Sequence, residues 1–215
     1  SVVGARLYYV IFYGGYDSLL EIISFWNGGL AIYGGVIGAF IFGGLACKWR
    51  KVNVLDMFDL AALAFPVGQA VGRFGNFMNQ EAFGSNTTLP WGMYSNETYQ
   101  YLSSVQTTLE SQGVTVDPAL PVHPCFLYES IWCIVGFVLL HFLSKKRLFK
   151  GQTVLQYIVW YGLGRFFIEW VRTDSLMVGP FKISQIIALA CVVIGITLLT
   201  VIGMRIKKDQ KVEIE

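Results

Sequence analysis

Five apolar stretches decide what this chain can fold into. Residues 28–47, 54–71, 126–143, 154–171 and 183–204 each approach or reach the roughly 20 residues that carry a helix across a bilayer, and short polar linkers separate most of them. A sixth apolar segment, residues 2–13, is too short to span alone. With 54% hydrophobic and 14% charged residues, the chain reads as an all-α polytopic membrane protein. Its net charge of +2 and the lack of any block of like charge exclude a nucleic-acid partner and leave membrane lipids and membrane-tethered substrates.

Basic residues set the orientation, because Lys and Arg concentrate in short cytoplasmic loops. Lys48, Arg50 and Lys51 mark one such loop, Lys145, Lys146, Arg147 and Lys150 a second, and Arg205, Lys207, Lys208 and Lys211 a cytoplasmic tail. Residues 74–144 contain no Lys or Arg, which places the polar insert 73–123 outside. An insert of that length is expected to form a small extracytoplasmic head domain over a transmembrane helix bundle. The organisation expected is thus membrane helices in 1–72, the head insert in 73–123, three more spans in 124–204 and a tail in 205–215. Gly34 and Gly38 form a GxxxG pair, which suggests a helix packed inside the bundle. The chain opens with Ser1 and a short apolar stub, which reads as the loss of one or more upstream membrane segments.

Polar residues inside or beside these runs are the candidates for chemistry, since an ionisable group at membrane depth is costly unless partnered. The stretch from Gly72 to Gly84 closes one run with Arg73, Asn76, Asn79 and Glu81. Arg73 and Asn76 share a face if the helix persists that far, with Asn79 one turn on. Gly72, Gly75 and Gly84 would allow close backbone approach or an irregular exit from the helix. Arg73 either snorkels to the headgroups or binds a phosphate. Tyr161, Arg165, Glu169 and Arg172 follow at helical spacing on another run. Glu169 can simply pair with Arg165 or Arg172, yet two arginines converging from separate helices describe a phosphate site. His123 before Pro124, with Tyr128 and Glu129 one turn into the next helix, is either a turn residue or part of that site. Asp59 shares the face of Arg73 but sits close to four turns deeper, which suits pairing or packing. Cys47, Cys125, Cys133 and Cys191 lack metal or redox spacing and read as small core residues.

On these residues the chain resembles bacterial prolipoprotein diacylglyceryl transferases over nearly its whole length. The signature G-R-x-G-N-F-x-N-x-E-x-x-G is matched throughout by Gly72 to Gly84. Supporting matches are Gly4 to Val10, Trp26-Asn27-Gly28-Gly29 with Gly34-Gly35, His123-Pro124 with Leu127-Tyr128-Glu129, and Tyr161-Gly162 with Arg165, Glu169 and Arg172. The resemblance implies transfer of the diacylglyceryl group of phosphatidylglycerol to the lipobox cysteine in the signal peptide of a preprolipoprotein, in the bacterial plasma membrane with the site towards the extracytoplasmic leaflet. It implies no metal and no cofactor. Arg73 and Arg165 match the family's essential arginines, and Asn76, Asn79, Glu81 and Gly84 would shape the site around the lipid headgroup. Substrate contacts are also expected from Tyr161 and Arg172. The family's first membrane helix, with its functional tyrosine, would lie upstream of Ser1, which leaves the activity of the chain as it stands open. Tyr33 stands where the family often has histidine. A neutral phenol is a poor proton acceptor, so Tyr33 is expected to position substrate, leaving thiol deprotonation to His123, Glu169, or water and phosphate. The alternative is a transporter or channel whose pathway the intramembrane arginines line.

The orientation is directly testable. With the native cysteines replaced, Ser104→Cys should react with an impermeant thiol reagent added outside the cell and Ser144→Cys should not; the reverse labelling would invert the topology.

Overall fold

The computed structural model describes residues 2–13, 18–111, 113–173, 177–178 and 181–212. They form two compact units, Ser1–Met57 and Phe58–Glu215.

In the first unit, α1 (Val2–Tyr13), α2 (Leu19–Ile23) and a single 3-10 turn (Phe25–Asn27) precede α3 (Ile32–Trp49). Glycine decides how α1 meets α3. A Cβ on Gly4 would lie 2.5 Å from the Gly34 carbonyl oxygen and 3.0 Å from the Gly38 Cα, so the GxxxG pair is the surface on which α1 rests. Phe40, Ile41 and Leu45 of α3 are exposed. Arg6 is buried within this unit. Its guanidinium donates to the carbonyls of Ile22 (2.9 Å), Gly28 (2.7 Å), Gly29 (2.9 Å) and Glu21 (2.5 Å), tying the polar connection to α1.

The second unit holds α4 (Val54–Met78) from Phe58 onward, α5 (Asn96–Ser111), α6 (Cys125–Ser144), α7 (Gln152–Val171) and α8 (Ile183–Val212), with a short antiparallel pair of two-residue strands, β1 (Met177–Val178) and β2 (Phe181–Lys182), before α8. Among the described residues three helices are long and apolar enough to cross a membrane: α4, α6 and residues 183–210 of α8. Helix α7 has the length, but Gln152, Gln156, Arg165 and Glu169 dilute its apolar character, and the apolar part of α3 is short. The chain is an α-helical membrane protein.

Helices α6 and α7 are locked by a tryptophan pair. The rings of Trp132 and Trp160 stack with centroids 4.3 Å apart, and each indole N–H donates to the other residue's carbonyl, at 2.9 and 3.0 Å. Each ring lies against a glycine of the opposite helix, Trp132 on Gly164 and Trp160 on Gly136, where any Cβ would collide with the indole. Between α4 and α6, α5 packs Leu102 and Leu109 against Phe83, Val116 and Val122 in a small core of its own. Asn86 braces it, accepting from Asp117 N at 2.7 Å and donating to Asp117 O at 2.9 Å.

Asp59 does the pairing expected of it. Its carboxylate accepts from Gly151 N (2.8 Å), Val154 N (3.0 Å) and Arg147 Nη1 (3.1 Å), so it caps the first turn of α7, whose N-cap Gly151 has φ 88° and cannot cap itself. Asp59→Ala should lower stability by about 1–3 kcal/mol, read as a lower melting temperature in detergent. Asp59→Asn, which keeps an acceptor, should lose less.

Candidate active site

Helix α4 persists to Met78, so the first half of the signature is helical and Arg73 and Asn76 do share a face. What the arginines meet there is a carboxylate that sequence reasoning had left in a supporting role. Glu129, on α6 and with 7% of its side chain exposed, is in ion-pair contact with Arg73 Nη2. Arg165 Nη1 reaches it from α7 at 3.1 Å, and Arg172 Nη1 from the end of α7 at 3.3 Å. Arg165 Nη2 also lies 2.7 Å from Glu169 Oε2, a close ion pair without hydrogen-bond alignment. Among the described residues, then, three guanidiniums gather about two buried carboxylates. A signal for Glu129 was present: it is the one acid inside the apolar run 126–143, and such a residue needs a partner.

The second half of the signature continues from Arg73. Arg73 Nη1 donates to Asn76 Oδ1 at 3.2 Å, and Asn76 Nδ2 donates to Glu81 Oε1 at 3.0 Å, where Asn79 Nδ2 also arrives at 3.2 Å. Glu81 can reach back to Asn76 because the chain reverses sharply after α4, with Gln80 at φ 53° and Ala82 at φ 57°. Non-glycine residues in this left-handed region cost energy and cluster at functional sites. Gly84 is sterically required. A Cβ there would lie 2.7 Å from Val171 O and 2.9 Å from His123 Cβ, at the point where the strand-like segment crosses the end of α7. Gly72 and Gly75 lie within the regular helix α4, and among the described residues a Cβ on either would meet nothing within 4 Å.

The end of α7 is held by Lys182, whose Nζ donates to the carbonyls of Glu169 (2.6 Å) and Arg172 (2.7 Å), the orphan acceptors of a helix C-terminus. His123 is joined to Gly84 through the Gly84 N to His123 O bond of 2.9 Å. Its Nδ1 is hydrogen-bonded with Tyr128 Oη at 3.0 Å, and Tyr128 Oη also accepts from Trp91 Nε1 at 3.0 Å. Burial lowers the His123 pKa from its ordinary value. Tyr161 stacks on Tyr157 one turn below Arg165, with centroids 6.0 Å apart. Tyr33 belongs to the first unit, and its side chain lies outside the described residues. Among the described residues no group of His, Cys, Asp and Glu could hold a metal ion.

The arrangement joins fixed cations from two helices to amide donors at the end of a membrane helix, which suits an anionic lipid headgroup. Comparison with known proteins points the same way. A family model described as prolipoprotein diacylglyceryl transferase matches residues 1–201. The phosphatidylglycerol–prolipoprotein diacylglyceryl transferase of Clostridium novyi is 44% identical over 203 residues, covering 93% of this chain and 74% of that protein. Those of Clostridioides difficile (42% identity, 91% and 71% coverage) and Bacillus cereus (42%, 94% and 72%) are similar to the same extent. The chain therefore belongs to the prolipoprotein diacylglyceryl transferase family.

Proposed function

We propose that this membrane transferase moves the diacylglyceryl group of phosphatidylglycerol onto the lipobox cysteine of a preprolipoprotein, the first step of lipoprotein maturation. The observation that carries the reading is the convergence of Arg73 and Arg165, from separate helices, on Glu129, with the Asn76–Glu81 bond continuing from Arg73. The family assignment leaves nothing in favour of a transporter or channel.

In the reaction the cysteine sulfur forms a bond to C3 of the diacylglyceryl group as the C3–O bond to phosphate breaks. A thioether results, and glycerol phosphate leaves with the bonding pair. The thiol must lose its proton, since the thiolate is the nucleophile, and the departing phosphate gathers charge. Arg73 and Arg165 answer the second need. Held by Glu129 and Glu169, they are pre-positioned, so stabilising the leaving group costs little reorganisation. Arg172 adds positive charge beside them. Asn76, Asn79, Glu81 and Gly84 shape the headgroup end, and Tyr161 lines the approach from the apolar side. For the proton, His123 shares a hydrogen bond with Tyr128 through Nδ1, and thiol deprotonation falls to His123, to Glu169, or to water and phosphate. Residues 73–123 would form an extracytoplasmic head, with the site facing the outer leaflet of the bacterial plasma membrane.

Two expectations follow for the full-length protein, assayed with labelled phosphatidylglycerol and a lipobox peptide. Arg73→Ala and Arg165→Ala should each lose about 2–4 kcal/mol of transition-state stabilisation, and Arg→Lys should fail badly because an ammonium lacks the planar fork. Near-normal turnover at ordinary protein levels would remove that residue from the site. If Tyr33 positions substrate, Tyr33→Phe should keep part of the activity and Tyr33→His should be tolerated; a Phe variant as inactive as Arg73→Ala would make the hydroxyl indispensable.

A further inference from the structure

One to two turns from the charge cluster the same three helices meet again through uncharged groups. Gln69 precedes Arg73 by four residues on α4, Cys133 follows Glu129 by four on α6, and Tyr157 precedes Arg165 by eight on α7. The pairings of residue 73 with 129 and of 69 with 133 run α6 antiparallel to α4, so these residues form a layer displaced toward the membrane interior. Tyr157 Oη lies 3.0 Å from one end of the Gln69 amide, and Cys133 Sγ lies 3.9 Å from the same end. In the structure that end is the amide oxygen, which accepts from the Tyr157 hydroxyl and the Cys133 thiol. Ser130 is otherwise engaged, donating to Ala70 O at 3.0 Å. The Gln69 Nε2 amide protons have no hydrogen-bond partner among the described residues, and Nε2 is not among the buried atoms sealed from access. An amide in an apolar helix is costly unless both ends are used.

Resting on the transferase reading above, we propose that Gln69 is a substrate-binding residue whose Nε2 donates to an ester carbonyl of the diacylglyceryl group. With the phosphate at Arg73 and Arg165, the ester carbonyls of a glycerophospholipid lie a few bonds further toward the hydrocarbon. Gln69 lies about 6 Å along the axis from Arg73, in the same direction. The chemistries are complementary: an ester carbonyl only accepts, and the open end of this amide only donates. Tyr157 acts as a positioning residue by holding the amide oxygen. Fixing the ester at one end and the phosphate at the other would hold C3 between them in line for the incoming sulfur. The same contact would make the enzyme selective for ester-linked over ether-linked lipids, since an ether lacks the carbonyl.

The test compares phosphatidylglycerol with its di-ether counterpart carrying the same chains, each given in vesicles to the full-length protein with a lipobox peptide, and reads kcat/KM for thioether formation. The wild type should prefer the diester by about tenfold, the upper range for one hydrogen bond. Gln69→Leu should lower the diester value about tenfold and leave the di-ether value unchanged, abolishing the preference. Gln69→Asn, which keeps the polarity but falls short, should do the same. Tyr157→Phe should lose part of the preference. Equal turnover of both lipids by the wild type overturns the proposal without any variant, and an equal fall for both lipids in Gln69→Leu and Gln69→Asn overturns it in favour of a helix-packing role. A wild type that transfers neither lipid overturns the transferase reading itself, and this proposal with it.

Discussion

A carboxylate buried in an apolar helix has to be neutralised where it stands, and most of the candidate site follows from how Glu129 is neutralised. Three guanidiniums reach toward it, from α4, from α7 and from the residue that ends α7. Each ion gives up hydration to be there, so the cluster is poor evidence of net stability. Its value is geometric. Arginines that would otherwise sample many rotamers at the membrane surface are fixed in one arrangement, and an anion arriving among them meets donors already in place.

That geometry requires α7 to be fixed along its length as well as at the cluster. At one end the Asp59 carboxylate of α4 caps the first turn, and at the other Lys182 ties down the last carbonyls. Between them Trp132 and Trp160 trade indole hydrogen bonds across α6 and α7, in a contact that only the glycines at 136 and 164 permit. None of these residues belongs to the signature, yet each helps to fix α7, which carries Arg165.

The signature itself divides by mechanism. Its first half is an ordinary helix end, whose spacing aligns Arg73 with Asn76. Its second half is a strained reversal through Gln80 and Ala82 that returns Glu81 to Asn76 and brings Gly84 against α7 and His123. Strain of this kind persists only where surrounding contacts over-determine it, and here Gly84 N and Ser85 N are both held, by His123 O and Val171 O.

Apolar runs and helical spacing sufficed to read a helical membrane protein, the shared face of Arg73 and Asn76, the pairing of Arg165 with Glu169, and the structural role of Asp59. These are local properties: burial cost depends on what a residue is, and alignment on one helix depends only on sequence separation. The partner of each charge across helices is not local. That Glu129 meets Arg73, that Gly84 makes a close approach no side chain could share, and that His123 lies with Tyr128 and Trp91, were all decided by packing. Residues 88 and 60 positions apart, such as Arg147 with Asp59 and Ser130 with Ala70, meet only because the helices pack as they do, and no periodicity along one helix encodes which face of another will answer it.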